Sequence, residues 1–219
     1  MSAFTSVRFF KYCVIGMVVC FCMFGGKPLP LAGKLAAGEN KSASLVNLLT
    51  AYLVESQTLN FYLACAEKAE AEGFPGAAYL FRGAARSEQV LQENHADAIK
   101  KMGGVLPGEI KTPPVQATGE NLQTAIKQES AKYNDLYPAF LDKARQEREK
   151  AALRTFNFAK SAAGVHIEFF KQASADPGGW EKASRTFWVC SICGHLVTAL
   201  NFSQCPICFN PLDKYVQVK

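Results

Sequence analysis

The sequence of 219 residues has no aspartate or glutamate before Gly38, whereas four basic residues lie in that segment. The rest of the chain therefore contains 20 of the 24 lysines and arginines, together with 19 acidic residues. The N-terminal segment supplies four of the five net positive charges, so the remainder, at +1, lacks the basic excess that a nucleic-acid-binding surface needs. Charged residues make up only 20% and hydrophobic residues 49%, which excludes a disordered or collagen-like chain.

The N-terminus also lacks an apolar run of about 20 residues, the length that a membrane-spanning helix needs. A shorter run at 12–26 follows Arg8 and Lys11, and the small residues Ala36 and Ala37 resemble a signal-peptidase site. We therefore expect residues 1–37 to be a cleaved signal peptide or an uncleaved N-terminal anchor. Either alternative predicts an exported protein that is periplasmic or otherwise extracytoplasmic.

Four of the eight cysteines form two CxxC pairs near the C-terminus. The pairs are Cys190 with Cys193 and Cys205 with Cys208. Two such pairs suit a tetrahedral metal, although an exported chain could instead form disulfides. Iron and zinc both accept four thiolates, so the spacing alone leaves the metal open.

Between the N-terminal segment and the cysteine pairs, apolar residues recur at helical spacing. The pattern predicts four helices, at residues 42–72, 77–102, 120–146 and 149–173, with a local kink at Pro138. We expect them to form a four-helix bundle over residues 42–175, making the fold mainly α. Residues 176–179 (Asp-Pro-Gly-Gly) are predicted to be a linker to a small domain at residues 185–219.

Each predicted helix carries one polar residue near the middle of its apolar face. These residues are Glu55, Glu88, Glu129 and His166. A lone carboxylate in such a face costs several kcal/mol unless it is paired or metal-bound. Convergent metal ligands are the interpretation that we favour; a hydrogen-bonded network without metal and side chains that turn to solvent are the alternatives.

With these motifs the chain resembles the rubrerythrin family, whose members join a ferritin-like four-helix bundle to a small β-rich rubredoxin-like domain. The resemblance covers residues 42–219. It is carried by short runs in the helices and by the cysteine pairs; the runs are Glu55-Ser56-Gln57, Ala84-Ala85-Arg86-Ser87-Glu88-Gln89, Glu93-Asn94-His95-Ala96 and Tyr137-Pro138-Ala139-Phe140.

The resemblance implies a di-iron site with seven ligand positions, of which this chain keeps four: Glu55, Glu88, Glu129 and His166. The other three positions hold Leu91, Lys132 and Ala163. The bundle is therefore expected to hold one or two non-haem metal ions. Tyr62 and Tyr137 match tyrosines that lie beside the metals in the family, although both could equally be core aromatics with a hydroxyl partner.

Two further residues near these positions have alternative interpretations. His95 lies seven residues from Glu88, about 10 Å along a helix, and is predicted to be a buried, hydrogen-bonded histidine instead of a ligand. Lys132 could place its ammonium among the carboxylates, where one divalent metal plus one lysine would make a neutral cluster. It could also extend to solvent from the edge of the apolar face, which we slightly prefer.

By resemblance, the four-Cys site holds iron and passes electrons from an unidentified donor to the bundle site, where hydrogen peroxide is reduced. Phe187, Trp188 and Tyr215 flank the cysteines as in rubredoxin-like domains, whereas Phe209 stands where the family has glycine. The rival interpretation is a non-catalytic electron-transfer or structural protein, with zinc possible at the four cysteines. The family also implies a homodimer that pairs head to tail.

Overall fold

The computed structural model describes residues 42–181 and 185–218. The predicted signal peptide or anchor at residues 1–37 lies outside these residues. Within them, no helix combines the length and the apolar character that crossing a membrane demands.

The first two helices form an antiparallel pair, α1 (Ala43–Ala71) and α2 (Pro75–Lys101). Ser42 caps α1, because its hydroxyl accepts the backbone N–H of Leu45 at 3.2 Å. After α1, Gly73 adopts φ +81°, a left-handed conformation that glycine takes without strain. Pro75 then opens α2, where its missing N–H costs nothing. Both helices begin and end within two residues of the predicted positions.

The third predicted helix is continuous but contains a π-helical segment. It consists of α3 (Thr118–Ala131), the π segment (Lys132–Leu136) and α4 (Tyr137–Glu147). Pro138 has no N–H to donate to the preceding turn, and the N–H of Tyr137 bonds the carbonyl of Lys132 five residues earlier. The interruption predicted from Pro138 thus takes the form of a widened turn just before the proline.

The fourth helix, α5 (Lys150–Ala175), agrees with the prediction to within two residues. The predicted linker overlaps a short helix, α6 (Pro177–Glu181). Asp176 accepts the backbone N–H of Gly179 at 3.1 Å and so stabilises this turn, while Trp180 is buried beside it.

The C-terminal part, which we call the four-Cys module (residues 187–218), contains a small antiparallel sheet. Its strands are β1 (Phe187–Cys190), β2 (Leu196–Val197) and β3 (Tyr215–Val218), in the order β2-β1-β3. The module shares an apolar core with the bundle, in which Leu91 of α2 and Phe156 of α5 belong to the same cluster as Cys190 and Cys193. The fold is therefore mainly α with a small β-rich module, as predicted.

Candidate metal centres

Five polar side chains meet in the middle of the bundle, where they form what we call the bundle cluster. Its members are Glu55 of α1, Glu88 of α2, Glu129 of α3, Lys132 of the π segment and His166 of α5. All are buried, and the three carboxylates and the histidine have no exposed surface. The alternative in which these carboxylates and the histidine turn to solvent is therefore wrong.

The ammonium group of Lys132 lies at the centre of the three carboxylates. Its Nζ is 2.9 Å from Glu55 Oε2, 2.9 Å from Glu88 Oε1 and 2.9 Å from Glu129 Oε1. Lys132 is only 3% exposed, so the slightly preferred interpretation, in which it extends to solvent, is wrong. The helical spacing of three residues from Glu129 and the start of the π segment at Lys132 place the side chain on the inner face.

Two buried tyrosines hydrogen-bond the carboxylates of this cluster. Tyr62 donates to Glu129 Oε1 at 2.6 Å, and Tyr137 donates to Glu55 Oε1. Burial, reinforced by the neighbouring carboxylate charges, raises the pKa of both tyrosines well above the usual value. Both hydroxyls therefore keep their protons at neutral pH. Tyr62 and Tyr137 therefore match both predictions, because they are buried aromatics with a hydroxyl partner and also lie beside the candidate metal ligands.

The charges in the cluster shift the pKa values of its carboxyl groups in different directions. Burial opposes ionisation of Glu129, but the Lys132 ammonium and His166 together outweigh it and lower the pKa of Glu129 to about 2. For Glu55 the same balance of burial against Lys132 leaves the pKa lowered. Burial and then the charge of Glu55 raise the pKa of Glu88 well above its usual value. Glu88 is therefore the weakest acid of the three carboxyls.

His166 faces two of the carboxylates without satisfying either of its ring nitrogens. Its Nδ1 is 3.3 Å from Glu88 Oε1 and 3.7 Å from Glu129 Oε1, and neither contact has hydrogen-bond geometry. Burial alone would lower the pKa of His166, but the two carboxylates raise it to about 9. In the metal-free cluster this imidazole therefore carries a proton at neutral pH.

The cluster fits one metal ion and does not fit two. Glu88, Glu129 and His166 each offer a ligand atom, and these atoms lie within 4.8 Å of one another. Glu55 lies outside that group, and its two oxygens accept hydrogen bonds from Lys132 and Tyr137. Three other positions hold metal ligands in the family. Here the buried Leu91 and Ala163 have no atom that can bind a metal, and Lys132 places a positively charged ammonium there.

His95 is buried and hydrogen-bonded, as predicted. Its Nδ1 is 2.9 Å from Thr155 Oγ1 on α5, and its Nε2 is 3.5 Å from the Tyr137 hydroxyl. Burial lowers the pKa of His95 to about 4, so the ring stays neutral at physiological pH. It supports Tyr137, which in turn contacts Glu55.

The four cysteines of the C-terminal module converge on one point and are not joined by disulfides. The sulfur of Cys190 is 3.7 Å from that of Cys208, and the sulfur of Cys193 is 3.6 Å from that of Cys205. A tetrahedral ion with metal–sulfur bonds of about 2.3 Å places its sulfurs about 3.8 Å apart. These two distances match a four-thiolate ion, and all four sulfurs lie within 4.8 Å of one another. Such an ion, if iron, would accept and release single electrons.

The two CxxC turns have the same backbone structure. The N–H of Gly194 bonds the carbonyl of Cys190, and the N–H of Phe209 bonds the carbonyl of Cys205, each at 2.9 Å. Gly194 adopts φ +77° and Phe209 adopts φ +59°. The second turn thus keeps the left-handed conformation even though a phenylalanine, 69% exposed, occupies the glycine position.

The first CxxC turn lies directly on α2. Ser87, which precedes Glu88, donates from its hydroxyl to the carbonyl of Gly194 at 2.5 Å, and Asn94 donates to the carbonyl of Ile192 at 2.9 Å. A Cβ on Gly194 would lie 3.0 Å from Ser87 Oγ and 3.3 Å from Leu91 Cδ2. These contacts were not predicted; the only signal in the sequence is that Ser87 and Asn94 belong to the runs that carry the family resemblance.

Comparison with known proteins agrees with this architecture. The family model for rubrerythrin matches residues 47–174. Rubrerythrin-2 of Clostridium acetobutylicum is 33% identical over 175 residues, which are 77% of this chain and 92% of that protein. Nigerythrin of Nitratidesulfovibrio vulgaris is 30% identical over 79% of this chain and 85% of its own length. The structure of fully reduced, all-ferrous nigerythrin superimposes with a TM-score of 0.75, at 28% identity, covering 85% of this chain and 91% of that one. The chain therefore belongs to the rubrerythrin family of non-haem di-iron proteins.

Proposed function

We propose that this protein is a rubrerythrin-type oxidoreductase that takes up electrons one at a time at its four-Cys site and has hydrogen peroxide as its terminal acceptor. Reduction of one peroxide to two waters takes two electrons and two protons. The electrons come from an unidentified one-electron protein donor. The family relationship supports the class of reaction, and this chain's own residues support an arrangement in which both candidate metal centres lie against α2.

The observation that carries the proposal is the contact between the four-Cys module and the helix that holds Glu88. Ser87 bonds the Gly194 carbonyl next to Cys193, and the neighbouring residue of Ser87 is Glu88 of the bundle cluster. Both candidate centres thus lie against the same turn of α2 within one chain. The hydroxyls of Tyr62 and Tyr137 keep their protons beside the cluster and can supply hydrogen bonds to a bound oxygen species.

A second candidate function is that of an electron carrier whose bundle is not catalytic. It is favoured by Lys132, whose ammonium already pairs with three carboxylates that a pair of iron ions would need. In this case the four-Cys site would exchange electrons with partner proteins, and the bundle would serve as its scaffold.

Reoxidation of the reduced four-Cys iron by hydrogen peroxide distinguishes the two functions. The full chain is reduced anaerobically, peroxide is added, and the return of the visible absorption of the four-Cys iron is followed. The variants are Glu88→Gln and, as matched control on the same helix, Glu93→Gln, whose side chain is exposed.

The oxidoreductase predicts fast reoxidation in wild type and Glu93→Gln. It predicts at least about tenfold slower reoxidation in Glu88→Gln, because loss of a metal ligand should cost no less than loss of a group that orients one. Equal rates in all three proteins would favour the electron carrier. No reoxidation by peroxide in the wild type would contradict the proposed acceptor.

We further propose that the protein acts outside the cytoplasm, because Arg8, Lys11 and an apolar run precede the folded part. The intact mass of the mature protein checks this. Loss of residues 1–37 supports a cleaved signal, and an uncleaved chain recovered in the cytosolic fraction contradicts export.

A further inference from the structure

The bundle cluster contains buried polar atoms that no protein group satisfies. Among the described residues, both ring nitrogens of His166 lack a hydrogen-bond partner, as do Glu88 Oε2 and Glu129 Oε2. All three side chains are completely buried. A buried polar atom without a partner destabilises the fold, and four such atoms in one place point to a bound group that the protein is built to hold.

These unsatisfied groups have the chemistry of a divalent transition-metal site. They come from three separate helices, α2, α3 and α5, and supply two carboxylates and one imidazole. One ligand atom from each residue lies within 4.8 Å of the others, and small side-chain shifts that bring them within about 4.4 Å allow bonds of 2.0–2.2 Å to one ion. Carboxylate and imidazole ligands suit iron, manganese, cobalt and zinc.

Lys132 fills the other side of the cluster. Its Nζ lies 2.9 Å from one oxygen of each of the three carboxylates, so those oxygens already have a cation. Both oxygens of Glu55 already accept a hydrogen bond, one from Lys132 and one from Tyr137. A second metal ion would have to displace the ammonium and would find no ligand from Leu91 or Ala163.

The charges give the same count of ions. Three ionised carboxylates bring −3, and Lys132 brings +1. One divalent ion bound by a neutral His166 makes the cluster neutral. Two divalent ions would leave +2 in a buried site with the Lys132 ammonium in place, and +1 with it displaced. Charge and geometry therefore both allow one ion.

We propose that the bundle binds a single divalent transition-metal ion through Glu88, Glu129 and His166, and that the ammonium of Lys132 takes the place of a second ion. The site is thus mononuclear in a family of di-iron proteins. The proposal concerns the content of the bundle and does not require that peroxide be a substrate.

The number of metal ions per chain tests the proposal without any turnover. The metal-free full chain is loaded anaerobically with Co²⁺, excess ion is removed, and cobalt is counted by elemental analysis. We expect two ions per chain in wild type, one at the four cysteines and one in the bundle. The Cys193→Ser variant isolates the bundle and should retain one.

Replacement of the two buried helix histidines gives a matched comparison. His166→Ala should lose the bundle ion and hold one cobalt per chain, whereas His95→Ala should hold two. Circular dichroism reports whether each variant keeps its helical content, and Glu129→Gln provides a second ligand variant if His166→Ala does not fold. Three ions in wild type, one ion in wild type, or an unchanged count in both ligand variants would overturn the proposal.

Discussion

The Ser87 hydroxyl donates a 2.5 Å hydrogen bond to the carbonyl of Gly194 and thereby joins the bundle to the first CxxC turn. Ser87 is completely buried, so this bond is shielded from water. The same turn of α2 carries Glu88. One helix therefore fixes the position of both candidate metal centres relative to each other.

Substitution of Gly194 should loosen this contact. Gly194→Ala forces a left-handed conformation on alanine and places its Cβ 3.0–3.3 Å from Ser87 and Leu91. We expect the free energy of unfolding to fall by about 2 kcal/mol or more. Gly108→Ala is the matched control, since a Cβ there meets nothing within 4 Å. Equal denaturation midpoints for both variants would contradict the importance of the close approach.

The left-handed phenylalanine should be a site of easy stabilisation. Phe209→Gly removes the strain of φ +59° and should raise the free energy of unfolding of the metal-loaded protein by about 1 kcal/mol. Phe209→Ala serves as control, because it removes the exposed ring but keeps the strain. If alanine stabilises as much as glycine, the ring and not the backbone is responsible.

The visible spectrum should depend on the cysteines alone. Cys193→Ser removes one of four converging thiolates and should abolish the absorption of the four-Cys iron in the full chain. Helical content should change little, because the helices begin and end far from this residue in sequence. Retained absorption with full iron content would place the chromophore elsewhere.

Acid should destabilise the protein in part through His95. Burial lowers the pKa of His95 from 6.5 to about 4. Between pH 4 and pH 6.5, this histidine is therefore protonated in the unfolded chain and neutral in the folded chain. The free energy of unfolding should therefore fall as pH drops from 6.5 to 4, by an amount on the order of 3 kcal/mol. His195, whose pKa burial also lowers, acts in the same direction.

Urea titrations at pH 7.5, 6 and 5 measure this dependence. His95→Gln keeps a polar group near Thr155 and Tyr137 but cannot be protonated. Its stability should fall less steeply with acid than that of the wild type, and a slope identical to the wild type would assign the acid sensitivity to other groups.

Removal of the Lys132 ammonium should make room for another ion. Lys132→Glu combined with Ala163→Glu supplies carboxylates at two of the positions where the family has them, and the bundle should then hold two divalent ions. Ala163→Glu alone keeps the ammonium and should still hold one. Elemental analysis of the cobalt-loaded proteins counts them, and two ions in the single variant would show that Lys132 does not limit the number.

The helices and the inward polar residues could be predicted because helical periodicity depends on local sequence. Glu55, Glu88, Glu129 and His166 stand in apolar stripes, and burial of those stripes brings them together. The position of Lys132 could not be predicted in this way. A residue at the edge of a stripe turns inward or outward according to the π segment, and that segment depends on how Pro138 is accommodated in the packed bundle.

Contacts between the bundle and the four-Cys module were also beyond sequence analysis. Ser87 and Asn94 donate to backbone carbonyls, which every residue offers, so no pattern in the sequence identifies their partners. The short helix α6 was missed for a similar reason. Asp-Pro-Gly-Gly has the composition of a linker, and its helical turn depends on the Asp176 cap and on burial of Trp180.

The Lys132 ammonium group belongs to the chain itself, so helix packing need not wait for metal binding. Lys132 is present at one per bundle as soon as the helices associate, whatever metals the surroundings supply, and it offsets carboxylate repulsion that would otherwise oppose that association. The helices can therefore pack before any metal arrives. We therefore expect metal loading to be a separate, later event, and the metal-depleted protein to keep its helical content.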